Sequence, residues 1–207
     1  MTMLKIWGRN NSSNVQKVMW MVGELGLAHE RIDAGGAFGM VQDAPYKAMN
    51  PNGRIPTIND DGLILWESNA ICRYLARKHG QFMPTATADQ ARVDMWMDWQ
   101  HNEAGAALTP VFWGLVRTPP EKRDLAAIEA GKVKTIAAMT ILDRELENHL
   151  YVVGNTFSVA DIPLGVVGYR FGLLIPEAPK LKNVQRWYAS LMERPAFRQH
   201  VADIPLT

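Results

Sequence analysis

The spacing of apolar residues changes period along the chain, and the changes mark its elements. Met3-Leu4-Lys5-Ile6-Trp7 is an apolar run of strand length, followed by the polar, turn-forming loop Gly8-Arg9-Asn10-Asn11-Ser12-Ser13. From Asn14 the period is helical: Val15, Val18, Met19, Val22 and Leu25 share one face, and Gly26 is a stop. His29 to Asp33 predicts a second strand with Ile32 its apolar member, and residues 34–46, rich in glycine and polar side chains, predict a loop. Asn50-Pro51-Asn52-Gly53 predicts a turn and Thr57 to Asn59 a strand. Asp60-Asp61-Gly62 is a hairpin signal, and Leu63 to Trp66 is the strand that returns from it. Ser68 predicts the cap of a helix carrying Ile71, Tyr74 and Leu75 and ending near His79-Gly80.

Beyond residue 80 the pattern is helical throughout. Gln81 to Asp89, with Pro84 and small polar residues, predicts a linker. Ala91 to about Val116 predicts a long helix that Pro110 should kink or break, and Arg117-Thr118-Pro119-Pro120 ends it. Leu125, Ile128, Ile136, Met139, Leu142 and Leu146 mark another long helix, and Leu181, Val184, Trp187, Tyr188 and Leu191 a last one, stopped at Arg194-Pro195. In Phe157-Ser158-Val159-Ala160-Asp161-Ile162, Ser158 and Asp161 have capping-box spacing, and Phe157 and Ile162 stand at the hydrophobic-staple positions. The order β-α-β, loop, β-β-α is that of the thioredoxin fold, which carries a cis-proline before its third strand; no C-x-x-C occupies the first loop. The expected architecture is an α/β thioredoxin-like N-terminal domain over 1–80, a linker over 81–89, and an all-α helical-bundle C-terminal domain over 90–207.

Composition narrows the class without changing this picture. The chain has 207 residues, 47% hydrophobic and 21% charged, with a net charge of +1, so no strong field points to nucleic acid or an acidic membrane surface. A single cysteine, Cys72, forbids an internal disulfide and fits a reducing compartment. No run approaches the roughly 18 apolar residues of a membrane span, and the first nine residues lack the apolar core of a signal peptide. A cytoplasmic protein is expected. The five histidines show no metal-ligand spacing with one another or with Cys72, so no metal is expected. Cys72, among Ile71, Tyr74 and Leu75, reads as a packing thiol.

The candidate chemistry centres on Asn50-Pro51-Asn52-Gly53-Arg54-Ile55-Pro56-Thr57-Ile58. A cis Ile55–Pro56 bond would bend the chain and turn the N–H and C=O of Ile55 outward, where a short extended peptide could pair with them. Four further motifs stand in order around it: Ser12-Ser13-Asn14-Val15-Gln16-Lys17-Val18, Asp60-Asp61-Gly62, Glu67-Ser68-Asn69-Ala70-Ile71, and Phe157-Ser158-Val159-Ala160-Asp161. Over nearly its whole length the chain resembles the cytosolic glutathione transferases, and its first-loop serine is similar to the serine-type theta, phi and bacterial nu-like branches.

The resemblance implies a glutathione S-transferase that conjugates the glutathione thiolate to small hydrophobic electrophiles, with glutathione as co-substrate, no metal, and a homodimeric assembly. It implies the following roles. The Ser12 hydroxyl would donate to the bound sulfur, helped by the helix N-terminus behind it, with Asn14 a second candidate donor. One of Ser12, Ser13 and Asn14 should cap that helix, and Ser13 fits best by position. Ile55, ahead of Pro56, would pair its backbone with the cysteinyl unit. Ser68 would take the γ-glutamyl carboxylate, and Glu67 would orient donors there or meet the ammonium. Phi enzymes hold the glycine carboxylate with a His-Lys pair; Val41-Gln42 stands there in this chain, so Gln42 would donate an amide and Arg54 would supply the charge. Phe112, Trp113 and Arg117 would line an acceptor pocket between the halves. Asp161 reads as structural. Two other readings keep the same fold: glutathione-dependent disulfide reduction, which Asn14 keeps open, and a non-catalytic scaffold.

Overall fold

A computed structural model describes residues 3–207. Strand β1 (Leu4–Trp7) leads into helix α1 (Ser13–Glu24) and returns as β2 (His29–Ile32), which lies parallel to β1 with Leu4 opposite His29. The glycine-rich segment 34–46, read as loop throughout, holds a 3-10 turn at Gly36–Phe38 and the start of a short helix, α2 (Ala44–Met49). Pro45 sits in that helix's first turn, where a missing N–H costs nothing, and Asp43 precedes it. These two residues were the signal for α2. Strands β3 (Thr57–Asp60) and β4 (Leu63–Trp66) form an antiparallel hairpin, turned at Asp61 and Gly62 with φ of 54° and 92°, the conformation that favours Asp-Gly. The sheet order is β2-β1-β3-β4, with β3 antiparallel to β1.

Helix α3 (Ser68–His79) closes the first αβ layer and packs on α1. Tyr74 and Lys78 of α3 both donate to the Asp60 carboxylate, at 2.7 and 2.5 Å, which ties the helix to the end of β3. Burial alone would raise the Asp60 carboxyl, but these two bonds hold it below its ordinary value. Cys72 is fully buried between the layers, and burial pushes its thiol up to about 12. It is a protonated packing group at neutral pH, not a nucleophile.

The remaining helices are α4 (Thr87–Trp99), α5 (Gly105–Phe112), α6 (Leu125–Glu145), α7 (Asp161–Leu174), α8 (Lys182–Met192) and the single turn α9 (Pro195–Phe197). Pro110 lies inside α5 and does not break it; α4 and α5 are joined by a π-turn at Gln100–Ala104, and a second π-turn follows at Trp113–Arg117. Helix α7 is buried on all sides from Asp161 to Phe171, so it shows no amphipathic period and escaped the pattern reading. Ser158 was expected to be its cap, but the helix begins at Asp161 and only part of the capping box forms. Asp161 Oδ2 accepts from the Ser158 N–H at 2.8 Å, while the Ser158 hydroxyl serves the Ala160 N–H at 3.3 Å. Asp161 also accepts from the Val152 N–H and from Trp187 Nε1, both at 2.9 Å. Burial pushes its carboxyl up against the pull of these bonds. The α8 N-terminus is capped from another helix: Asp143 Oδ1 accepts from the N–H groups of Asn183 and Val184 at 2.8 and 2.9 Å.

The chain divides into two compact units, Met1–Gln81 with Ala196–Ile204, and Phe82–Pro195 with Pro205–Thr207. The segment 90–207 therefore does not pack as one piece. Its Ala196–Ile204 stretch belongs with α1, where the Phe197 ring lies 4.6 Å from that of Trp20 and both are fully buried. Gly23 permits this approach, since a Cβ there would stand 2.9 Å from the His200 ring. Among the described residues no helix is long and apolar enough to cross a membrane.

Candidate functional site

The Ile55–Pro56 bond is cis. The strand registers begin at Thr57, and the N–H and C=O of Ile55 enter no ladder or turn bond among the described residues. The preceding turn closes with the Gly53 N–H donating to the Asn50 C=O at 3.0 Å. A buried polar cluster fixes it. Asn50 Nδ2 donates to the Arg54 C=O at 2.9 Å and to Thr57 Oγ1 at 3.1 Å, and the Tyr46 hydroxyl reaches the same C=O at 2.7 Å. Burial raises the Tyr46 phenol, against the Thr57 bond, so it stays a donor. Tyr46 and Thr57 were missed in the sequence because a lone tyrosine and a strand threonine carry no motif.

The loop after β1 and the segment at Gln42 both run beside this turn. A Cβ on Gly8 would lie 3.4 Å from Ile55, so the loop after β1 runs beside it. Gln42 is exposed and lies over the turn, its Nε2 2.9 Å from where a Gly53 Cβ would be. The Arg54 side chain is exposed, and its backbone carries the Tyr46 and Asn50 bonds.

Ser12, not Ser13, occupies the cap position of α1, with extended backbone at φ −81°, ψ 126° and no side-chain capping bond. Ser13 is the first helical residue. The cap assignment from spacing is thus off by one, and the correction leaves the Ser12 hydroxyl without capping duty at a helix N-terminus. Asn14 Oδ1 accepts from the Ser68 hydroxyl at 3.2 Å across the α1–α3 packing.

Ser68, expected as the cap of α3, is instead its first residue; Glu67 holds the cap position at φ +71° and makes no side-chain capping bond. A glutamate in the left-handed region is uncommon, and such residues gather at ligand sites. Ser68 is buried and Glu67 exposed. One turn along, Lys17 Nζ donates to Asn69 Oδ1 at 3.3 Å, a second α1–α3 link that spacing did not reveal.

In the second unit, Phe112, Trp113 and Arg117 lie together across the end of α5 and the π-turn that follows. Trp113 is 59% exposed and Phe112 half-buried, with ring centroids 6.5 Å apart. The Arg117 guanidinium stands 5.6 Å from the Phe112 centroid, and that of Arg170, from α7, stands 4.5 Å from it.

A thioredoxin-like layer whose backbone is open before a cis-proline, joined to a helical unit, defines a class of two-unit proteins with an edge that an extended peptide can pair with. The comparisons identify the family. The family description "Glutathione S-transferase, N-terminal domain" matches residues 2–77, and "Glutathione S-transferase, C-terminal domain" matches 106–195. The chain is 45% identical to glutathione S-transferase GstB of Escherichia coli K12, over 99% of this chain and 100% of that one. It is 28% identical to glutathione S-transferase 3 of Zea mays, over 100% and 96%. Among solved structures it is similar to the theta class glutathione S-transferase of Xanthomonas axonopodis pv. citri with glutathione bound, at TM-score 0.95 and 42% identity, each chain fully covered. The chain belongs to the glutathione S-transferase family.

Proposed function

We propose that the chain activates the glutathione thiol at Ser12 and transfers its sulfur to small apolar electrophiles. The observation that carries this is the Ser12 hydroxyl at the N-terminus of α1, with no capping bond to hold it. A free thiol near pKa ~8.5 is mostly protonated at neutral pH. A hydroxyl donor and the positive end of a helix both favour the thiolate and lower that value. The thiolate then attacks the electrophilic carbon, a carbon–sulfur bond forms, and the leaving group departs with its electron pair.

The remaining assignments extend the same reading. Ile55 pairs its open backbone with the cysteinyl unit. Ser68 and the uncapped first turn of α3 take the γ-glutamyl carboxylate, with Glu67 beside its ammonium. Gln42 and Arg54, both exposed around the turn, hold the glycine carboxylate. Phe112, Trp113 and Arg117 contact the acceptor. The reading is tested by titrating the ultraviolet thiolate band of bound glutathione against pH. A band that develops well below the free thiol's pKa is expected; a band that follows the free thiol rules out activation.

We further propose a cytoplasmic homodimer. One buried cysteine suits a reducing compartment. Helix α6 carries an outward stripe of Ala126, Ala130, Val133, Ala137 and Ile141, with Val133 61% and Ile141 49% exposed. Beside it lies a groove of about 670 Å³ lined by Trp99, Glu103, Ala106, Pro110 and Lys134. The groove carries an acid and a base, so a second copy related by a twofold axis can pair them reciprocally. Val133→Asp should shift the protein to monomer in analytical ultracentrifugation; an unchanged mass would move the interface elsewhere.

A further inference from the structure

Ser68 and Asn14 are 54 positions apart in sequence, yet the Ser68 hydroxyl donates to Asn14 Oδ1 at 3.2 Å. Ser68 is 5% exposed, while Asn14 lies at the surface beside it. The Lys17–Asn69 bond at 3.3 Å links the neighbouring residue of α3 to α1 one turn further along α1, so the pair sits between helices joined a second time. A serine hydroxyl has one proton. While Asn14 Oδ1 takes it, Ser68 faces a ligand carboxylate with lone pairs, and only backbone N–H groups attract the ligand. An asparagine resolves this because its amide has two ends. Turned about its Cβ–Cγ bond, it presents Nδ2–H to Ser68 Oγ, and the Ser68 proton is released to the ligand.

We propose that Asn14 is a positioning residue for the γ-glutamyl end of glutathione: it holds the Ser68 hydroxyl in the free enzyme and reverses its amide as the carboxylate binds. It acts through Ser68 and not on the sulfur. The proposal rests on the reading of Ser68 as the carboxylate's partner. Alanine at position 14 would leave the hydroxyl unguided. Aspartate would do worse, because it can only accept, so it keeps the Ser68 proton and sets a second negative charge beside the ligand.

The test is a double-mutant cycle on glutathione affinity, with the thiolate band and kcat measured in parallel, for wild type, N14A, N14D, S68A and N14A/S68A. N14A should weaken glutathione about 3- to 10-fold, the range of one hydrogen bond, with kcat and the pKa of the bound thiol unchanged. N14D should weaken it further, and the double variant should bind no more weakly than S68A. Cysteinylglycine lacks the γ-glutamyl carboxylate and should bind wild type and N14A equally, a result that a merely structural loss would not give. A shifted thiol pKa in N14A, or losses that multiply in the double variant, would place Asn14 on the sulfur or apart from Ser68 and overturn the proposal. If S68A weakens binding and N14A does not, the Asn14 role alone fails. S68A binding as tightly as wild type would remove Ser68 from the site, and the proposal with it.

Discussion

Replacing Ser12 with alanine is expected to lower kcat roughly 10- to 100-fold and to raise the pKa of bound glutathione by about one to two units, with little change in affinity. The magnitude follows from the bond lost. A hydrogen bond to a charged group contributes about 1.5–3 kcal/mol, and one pKa unit corresponds to about 1.36 kcal/mol. The bond is strong only to the thiolate, so its loss falls on ionisation and hardly on the binding of the thiol form. Ser12 makes no side-chain capping bond, so the same substitution should leave thermal stability nearly unchanged. Ser13, already inside α1, is the natural control, and S13A should behave as wild type. Steady-state kinetics with the thiolate titration decide the matter. Equal losses in kcat and in glutathione affinity would contradict a role on the sulfur.

The largest stability loss is expected at Asp161. Its two oxygens accept from the Val152 and Ser158 N–H groups, the Ser158 hydroxyl and Trp187 Nε1. It therefore joins the loop before α7, the start of α7 and the middle of α8. Asp161→Ala leaves these donors buried without their acceptor, and the loss should be on the order of 3–5 kcal/mol, as when a buried polar network is broken. Asp161→Asn recovers little, because its NH2 end would face donors. Urea unfolding checks this, and a loss under ~1 kcal/mol would show that the cluster relaxes or takes up water. The Ser12 and Asp161 variants separate two kinds of polar residue in this chain: one moves the thiol's pKa and not stability, the other the reverse.

The fold was legible where the chain needed a particular backbone. Asp61-Gly62 marked the hairpin, and the β-α-β then β-β-α order gave the sheet its parallel and antiparallel pairs. Where one residue could serve two positions, sequence was less exact. Ser12 and Ser13 are both good caps, and only the extended backbone at Ser12 distinguishes them. Ser68 looks like a cap, yet Glu67 takes the position in a conformation that its side chain gives no reason to expect. Helix α7 hid because a helix buried on every side loses its period, and α2 hid behind the glycines that precede it. Of the candidate site, the turn and Ile55–Pro56 were readable from local chemistry. The Asn14–Ser68 and Lys17–Asn69 bonds were not, since they join residues more than fifty positions apart. The Tyr46–Asn50–Thr57 cluster was hidden for a related reason: its geometry exists only after the turn has closed.

The return of Ala196–Ile204 to α1 bears on how the molecule is made. A nascent chain that has emerged as far as Gln81 already holds all four strands and α1 to α3, but Trp20 still lacks the ring that covers it. That ring is at position 197, so the unit begun first is completed only after residues 82–195 of the other have been made. Its core is closed by the Ala196–Ile204 segment as by a latch, and a polypeptide released before that segment is made would present the Trp20 indole to chaperones and proteases.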